Sequence, residues 1–447
     1  MRGTPFFIGL CSLLSSQFSH AARPNDLNFT AEEVEKYGCG EKCQANLREG
    51  MKTDREIFGG YPFDHDFYAI ASNFSDAKPG DVLKFEPFNV STLSIPPDLT
   101  AYRIQYVSTG MDGENVPATA FITLPYMTYP GQKPRLMAFA HGTIGVTSSC
   151  APSSSYNFYD YYTWIMLAIA GYAVVGTDYT GLGNNYTAHK YVNCVLNSED
   201  TYWSVIAARR AFPNTFTKRW AAMGHSQGGG AVWGLSENPR VTGSESGEYI
   251  GGVALAPSAR VFDLSLESAK YHELSGEAAS AKFMPLIAKG IQAVNPPSTK
   301  IDFLSDAAEK RSELIDKLQL CLQGSGSVTE DLPLAGVKSP TAFQNSDQLK
   351  DFQKKYGAAQ GKKAFRDLLV LQGMADETVN YNATKIAYRA ACEAGNSVRL
   401  SLYPGLDHRP VLTASVREWM PWLDERFRGV ASQQKCVMHT WKPLLGE

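Results

Sequence analysis

From Thr100 onward the chain alternates short apolar runs with segments of helical period. Tyr102–Val107 and Ala118–Leu124 alternate with period two on either side of Gly110-Met111-Asp112-Gly113, which predicts two strands joined by a turn. Beyond them the apolar positions run unbroken at Leu136–Ala140, Tyr172–Thr177, Trp220–Met223, Ile250–Leu255, Leu368–Leu371 and Val398–Tyr403. Short continuous runs of this kind suit strands buried on both faces of a parallel sheet. Helical patterns lie between most of them. They cover Tyr161–Ala170, Asp200–Ala211 with Ser198 as N-cap, the segment after Ser226, Ile386–Cys392, and Leu412–Phe427. Strands that alternate with helices predict an α/β fold with a mostly parallel sheet covered on both faces.

Two regions depart from this rhythm. Residues 23–97 are loop-rich, with many Pro, Asn and Asp. Residues 261–363 turn helical and more charged, with Pro296-Pro297 and Gly324-Ser325-Gly326 as punctuation. That stretch reads as a helical insertion over the carboxyl edge of the sheet, where open α/β sheets bind ligands. The alternative is a small separate domain with no role at the site. The organisation expected is a leader at 1–21, an N-terminal extension at 22–98, a core at 99–260 and 364–430, a helical cap at 261–363 and a C-terminal tail at 431–447.

Composition narrows the function classes. The chain has 447 residues, 44% of them hydrophobic and 19% charged, with a formal net charge of −3. There are no basic runs, so nothing favours nucleic acid or an anionic membrane surface as a partner. Arg2, the apolar stretch Phe6–Leu14 and Ser19-His20-Ala21 have the layout of a secretory signal with its cleavage site. No later run is long and apolar enough to insert stably in a bilayer. Sequons at Asn28, Asn73, Asn89, Asn185 and Asn382 fit an extracellular glycoprotein. Loss of Cys11 with the leader leaves an odd number of cysteines. Cys39 and Cys43 can bridge locally. Cys150, Cys194, Cys321, Cys392 and Cys436 can supply one or two further bridges with one thiol over, in a pairing the sequence leaves open. Cys39 and Cys43 have no second Cys/His pair at ligand spacing, so neither a metal nor another cofactor is expected.

The candidate chemistry centres on Gly224-His225-Ser226-Gln227-Gly228, which follows an apolar run and precedes small residues. Strand, sharp turn and helix in that order expose a serine Oγ at a strained position. A serine hydroxyl needs a base, and the base needs an orienting acid. The order serine, acid, histidine is met by Asp376 after Leu368–Leu371 and His408 after Val398–Tyr403. Asp367 precedes its strand, Asp407 adjoins the histidine, and Glu377 is the nearest substitute. Backbone N–H groups of Thr143, in His141-Gly142-Thr143, and of Gln227 are the expected oxyanion donors. His141 and His225 read as structural, and Asp178 as a turn stabiliser. Tyr156, Phe158, Tyr159 and Tyr179 are candidates for a substrate pocket, with packing against the sheet as the other reading. Phe283-Met284-Pro285-Leu286-Ile287 is either a lid edge or core.

Taken together, His141-Gly142-Thr143 with Cys150-Ala151-Pro152-Ser153, Asp178-Tyr179-Thr180-Gly181, Gly224–Gly229 and Gly373-Met374-Ala375-Asp376 resemble the secretory lipase family, α/β-hydrolases of the lipase A type. The resemblance covers roughly residues 100–428. It implies an α/β-hydrolase core with a helical cap, a Ser226–Asp376–His408 triad and a small-molecule or lipid ester as substrate. It does not imply triacylglycerol hydrolysis, because the insertion is rich in Lys, Glu and Ser. The rival readings are an acyltransferase or tailoring enzyme with the same triad, a peptidase, and a non-catalytic binding protein on a hydrolase scaffold.

Overall fold

The computed structural model describes residues 28–444, apart from residues 60, 129, 276–280, 297, 340 and 433–434. The expected leader lies outside the described residues. Ten strands form one sheet: β1 (Val82–Pro87), β2 (Leu99–Thr109), β3 (Asn115–Pro125), β4 (Leu136–Ala140), β5 (Ala173–Thr177), β6 (Arg219–His225), β7 (Glu248–Leu255), β8 (Leu368–Gly373), β9 (Val398–Tyr403) and β10 (Cys436–Thr440). Their order is β1-β2-β3-β5-β4-β6-β7-β8-β9-β10. β1, β2, β3 and β5 pair antiparallel in sequence along one side, and every other pairing is parallel.

Alternation within each strand builds two cores. Leu136, Ala138 and Ala140 of β4 join Trp220, Ala222, Val370 and Leu400 against the helices Cys194–Ala211, Gln227–Ser236 and Tyr381–Glu393. Met137 and Phe139 point the other way, with Met223, Val253 and Leu369, against Trp164, Trp419 and Leu423.

Three sequence expectations need correction. The helix expected from Asp200 begins at Cys194, capped by Asn193, whose side chain accepts from Leu196 N at 2.9 Å; Ser198 lies inside it. The helix is buried almost all round, so it carries no polar face to mark its first turns. The segment read as loops contains β1 and the eighteen-residue helix Glu41–Phe58. Cys43, Leu47, Met51 and Phe58 form its buried stripe beneath a strongly charged outer face. Finally, β10 extends the sheet parallel to β9 where a tail was expected, anchored by the Cys392–Cys436 disulfide.

Residues 261–363 contribute no strand among the described residues, only helices and two isolated bridges. Their apolar cluster takes in Val34, Leu47 and Met51 from the N-terminal segment together with Leu286, Ile315 and Val328. Cys150–Cys321 ties this layer to the segment after β4, and Cys39–Cys43 closes a local loop. Among the described residues Cys194 is the free thiol; burial pushes it up to about 12, which makes it unreactive.

Asp54 joins the N-terminal helix to the cap. It is fully buried and accepts from Gln323 N and Gly324 N, both at 2.9 Å. Burial pushes its carboxyl up to about 7, against the opposite pull of those N–H groups. A carboxyl whose folded pKa exceeds its unfolded value stabilises the fold at low pH, and that contribution is lost as pH rises from about 4 to about 7. Asp54→Asn removes the titration. The melting temperature of the wild type relative to Asp54→Asn is therefore expected to fall across that window and to level off above it. Parallel pH profiles for the two proteins in differential scanning calorimetry would refute this.

Candidate functional site

Ser226 stands between the end of β6 and the helix Gln227–Ser236 with φ 58° and ψ −117°, a conformation that is costly for a non-glycine residue. The surrounding chain holds it there. Ser226 N donates to Leu255 O at 2.9 Å, and Ser226 O accepts from Ser258 N at 2.9 Å and Gly230 N at 3.1 Å. The flanking glycines are needed for space. A Cβ on Gly224 would collide with the carbonyl of Gly228, and one on Gly228 with the carbonyl of Ala140.

Asp376 follows β8, and four donors converge on its carboxylate. Oδ1 accepts from Thr378 N (2.9 Å) and Val379 N (2.7 Å), while Oδ2 accepts from Gln372 Nε2 (2.9 Å) and lies 2.8 Å from His408 Nδ1. With every other contact to the carboxylate a donor, His408 Nδ1 is the nitrogen that carries a proton toward Asp376. Glu377 points elsewhere, accepting from Tyr271 OH at 3.2 Å. Asp407 Oδ1 accepts from His408 N at 2.6 Å. Asp367 pairs with Arg426 at 2.8 Å.

His225 supports this loop from below. Its Nε2 donates to His408 O at 3.1 Å, its Nδ1 accepts from Tyr161 OH at 2.9 Å, and its ring lies 4.4 Å from that of His408. Burial holds His225 well below the usual histidine range, so the ring is neutral near pH 7. His141 is likewise buried, lowered to about 4, between Gly142 O and Asp178 O. Asp178 ties the Cys150–Ser153 segment to β3 by accepting from Ser153 N at 2.8 Å and from Thr119 Oγ1 at 2.6 Å.

Thr143, Tyr159, Tyr161, His225, Ser226 and His408 line one cavity of about 310 Å³, along with Lys282, Phe283, Leu322, Gln323, Thr378, Asp407 and Arg409. A second, narrow cavity of about 20 Å³ adjoins it and shares Thr143, Ser226, Phe283 and Thr378. Its other walls are largely apolar and include Val192, Leu264, Met284, Ile287 and Val379. Thr143 Oγ1 pairs with Tyr191 OH at 2.8 Å. Gln227 opens its helix, so its N–H has no intrahelical partner. Its side chain turns away to His189 and Asn197.

The aromatic run divides. Positive φ at Phe158 (52°), Tyr159 (56°) and Tyr162 (70°) turns successive side chains in different directions. Tyr159 reaches the cavity and donates to Thr143 O at 2.6 Å. Phe158 is not a lining residue and stacks on Phe121 at 4.8 Å in the core. Tyr179 is not one either; it donates to His141 O at 3.0 Å. Tyr156 packs beside Gly59, away from the lining. Phe283, Met284 and Ile287 line the cavities and also pack in the cap core, whereas Leu286 lies in that core alone. Lys282, Leu322 and Gln323 escaped sequence reasoning because only tertiary folding brings the cap to Ser226. Arg409 had a signal, its place beside His408.

Solved structures with this architecture include a lipase and an esterase. Candida antarctica lipase A in its closed state superposes with a TM-score of 0.65 at 16% identity, over 84% of this chain and 88% of that one. The rice cell wall degrading esterase LipA of Xanthomonas oryzae gives 0.59 at 14% identity, over 80% and 100%. The chain has the α/β-hydrolase fold. In sequence, 100 residues are 34% identical to the secreted triacylglycerol lipase LIP7 of Malassezia globosa. That match spans 22% of this chain and 21% of the lipase. No family model matches. Within this α/β-hydrolase fold, no three His, Cys, Asp or Glu side chains among the described residues are grouped to share a metal ion.

The close crossing at Gly228 has a direct consequence. Gly228→Ala forces the helix off β4 and is expected to cost about 3 kcal/mol or more, at the upper end for overpacking. A urea midpoint unchanged from wild type would contradict that reading.

Proposed function

We propose that this chain is a secreted serine hydrolase of carboxylic esters, with Ser226 as nucleophile, His408 as base and Asp376 as the orienting acid. The observation that carries this reading is the Asp376–His408 hydrogen bond at one wall of the cavity that Ser226 also lines. Ser226 Oγ attacks the ester carbonyl and passes its proton to His408 Nε2. Asp376 fixes the tautomer and stabilises the imidazolium. The N–H groups of Thr143 and Gln227 stabilise the tetrahedral oxyanion. His408 then protonates the departing alcohol, and water releases the acyl group by the same route in reverse.

Secretion is supported by the three disulfides among the described residues, which suit an oxidising compartment. Asn28, Asn73, Asn89 and Asn185 are exposed at their sequons, so glycans can be carried there without disturbing the core. Among the described residues no helix is long and apolar enough to cross a membrane.

The test is hydrolysis of 4-nitrophenyl esters from acetate to palmitate, with fluorophosphonate labelling alongside. Ser226→Ala is expected to lose both labelling and turnover. Asp376→Asn is expected to lower kcat by roughly 10⁴-fold with KM little changed, because the wrong tautomer is then held. Wild-type protein that is folded, inert to every ester and unlabelled would overturn the assignment.

Acyl length has its own expected outcome. The narrow cavity beside Ser226 has space for little more than one water-sized group, which takes about 10–15 Å³ by this measure. Short acyl chains are expected to give the highest kcat/KM, and Ile287→Ala should move the optimum toward longer ones. An unchanged optimum in Ile287→Ala would mean that the acyl chain lies elsewhere.

A further inference from the structure

The two cavities that meet at Ser226 differ in chemistry, and His408 lines only the larger one. This difference assigns their occupants, given the hydrolase mechanism proposed above. The group that takes the serine proton must return it to the leaving oxygen, so that oxygen departs on the side His408 faces. The acyl part then occupies the narrow apolar cavity, and the alcohol part occupies the large one.

The large cavity is unusual for an apolar alcohol. Lys282 and Arg409 both line it, and neither has a carboxylate partner among the described residues. Lys282 has its ammonium 5.4 Å from the ring of Phe283, and Arg409 has its guanidinium 5.0 Å from the ring of Tyr161. Aromatic faces of this kind hold a cation in place while leaving its hydrogen-bond donors free. Asp407 is the one carboxylate in the lining, and its Oδ1 is already engaged by His408 N and Glu377 N. Gln323, Thr378 and Tyr161 add polar groups to the same walls. Among the lining side chains two cations face one carboxylate, while the Asp376 carboxylate lies behind His408 and is saturated by its four donors, so the wall at Lys282 and Arg409 attracts and retains a negative charge.

We infer that the ester's leaving alcohol carries a carboxylate, held by Lys282 and Arg409, while its acyl group is small and apolar. The reaction stays an ordinary hydrolysis. The acyl C–O bond breaks, water supplies the carboxyl oxygen, and the product alcohol leaves with its carboxylate still ionised. A neutral triacylglycerol makes no use of these two cations.

The experiment compares 4-acetoxyphenylacetate with its methyl ester. The two share the same scissile bond and differ in one remote charge, which a methylene insulates from the phenol. The ratio of their kcat/KM values is measured for wild type and for the double variant Lys282→Gln, Arg409→Gln. Both sites are exposed, so folding is not at stake. The wild-type ratio is expected to exceed that of the double variant by about tenfold, the usual worth of a hydrogen-bonded charge. The excess should shrink as salt is raised toward about 0.5 M, where the Debye length falls to a few ångströms. Equal ratios in the two proteins, with Ser226 still labelled by fluorophosphonate and both esters cleaved, would overturn the inference and leave the hydrolase reading intact. Absence of both labelling and turnover would overturn the hydrolase reading and this inference with it.

Discussion

The contact on which the site depends is the crossing of Gly228 under the end of β4. Neither Gly224 nor Gly228 can carry a Cβ, because the carbonyls of Gly228 and Ala140 already occupy those positions. That proximity lets the chain turn within one residue from β6 into the helix Gln227–Ser236, and Ser226 takes up the strain. It also brings the His141-Gly142-Thr143 segment, which leaves β4 at the same level, alongside the serine. The backbone cost at Ser226 is offset by hydrogen bonds to Leu255, Ser258 and Gly230, of which Leu255 and Gly230 are buried and Ser258 half-buried. The geometry therefore follows from sheet order. β4, β6 and β7 are adjacent, and all three end at the serine.

A second constraint holds the roof over that edge. The layer at 261–363 is bonded to the core by Cys150–Cys321 and to the N-terminal helix by Asp54. In chain-entropy arithmetic, a bridge closing 171 residues removes on the order of 5 kcal/mol of freedom from the unfolded state. Gln323, whose N–H Asp54 accepts, also lines the cavity, and so does its neighbour Leu322. This part of the wall is therefore set by a buried carboxyl and a disulfide, while the wall at Lys282 and Phe283 comes from a different stretch of the cap. The N-terminal segment, expected from sequence only as a loop-rich extension, is thus part of the support for this wall.

Much of the architecture was legible because the central strands are apolar on both faces and short, and the strand–helix alternation has few other solutions. Ser226, Asp376 and His408 stood out for a related reason. Each sits just past a buried strand, so its position along the chain fixes its position at the sheet edge. What was lost had no local signal. The first turns of Cys194–Ala211 are buried on almost every side and show no amphipathic period. The Glu41–Phe58 stripe is diluted by charge, and it gains a partner only when the cap folds down. Phe158 and Tyr159 are adjacent in an aromatic run, yet one enters the core and the other the cavity. Positive φ at both residues decides between them, and side-chain chemistry does not reveal it.

The pairing of His225 with His408 shows how the fold assigns different tasks to two like groups. Their rings are 4.4 Å apart, and two imidazolium ions at that distance would repel strongly in a poorly solvated site. Burial resolves the conflict by keeping His225 neutral, so the two rings are never both charged. Neutrality also fixes what His225 can do. Its Nε2–H is committed to the carbonyl of His408, and its Nδ1 to the hydroxyl of Tyr161. The neutral ring of His225 thus positions the backbone of His408. Tyr161, which satisfies it, is itself a wall of the cavity and the face on which Arg409 rests. Through these contacts the placement of the His408 ring and the placement of the Arg409 guanidinium become one packing problem, solved by the same three aromatic rings.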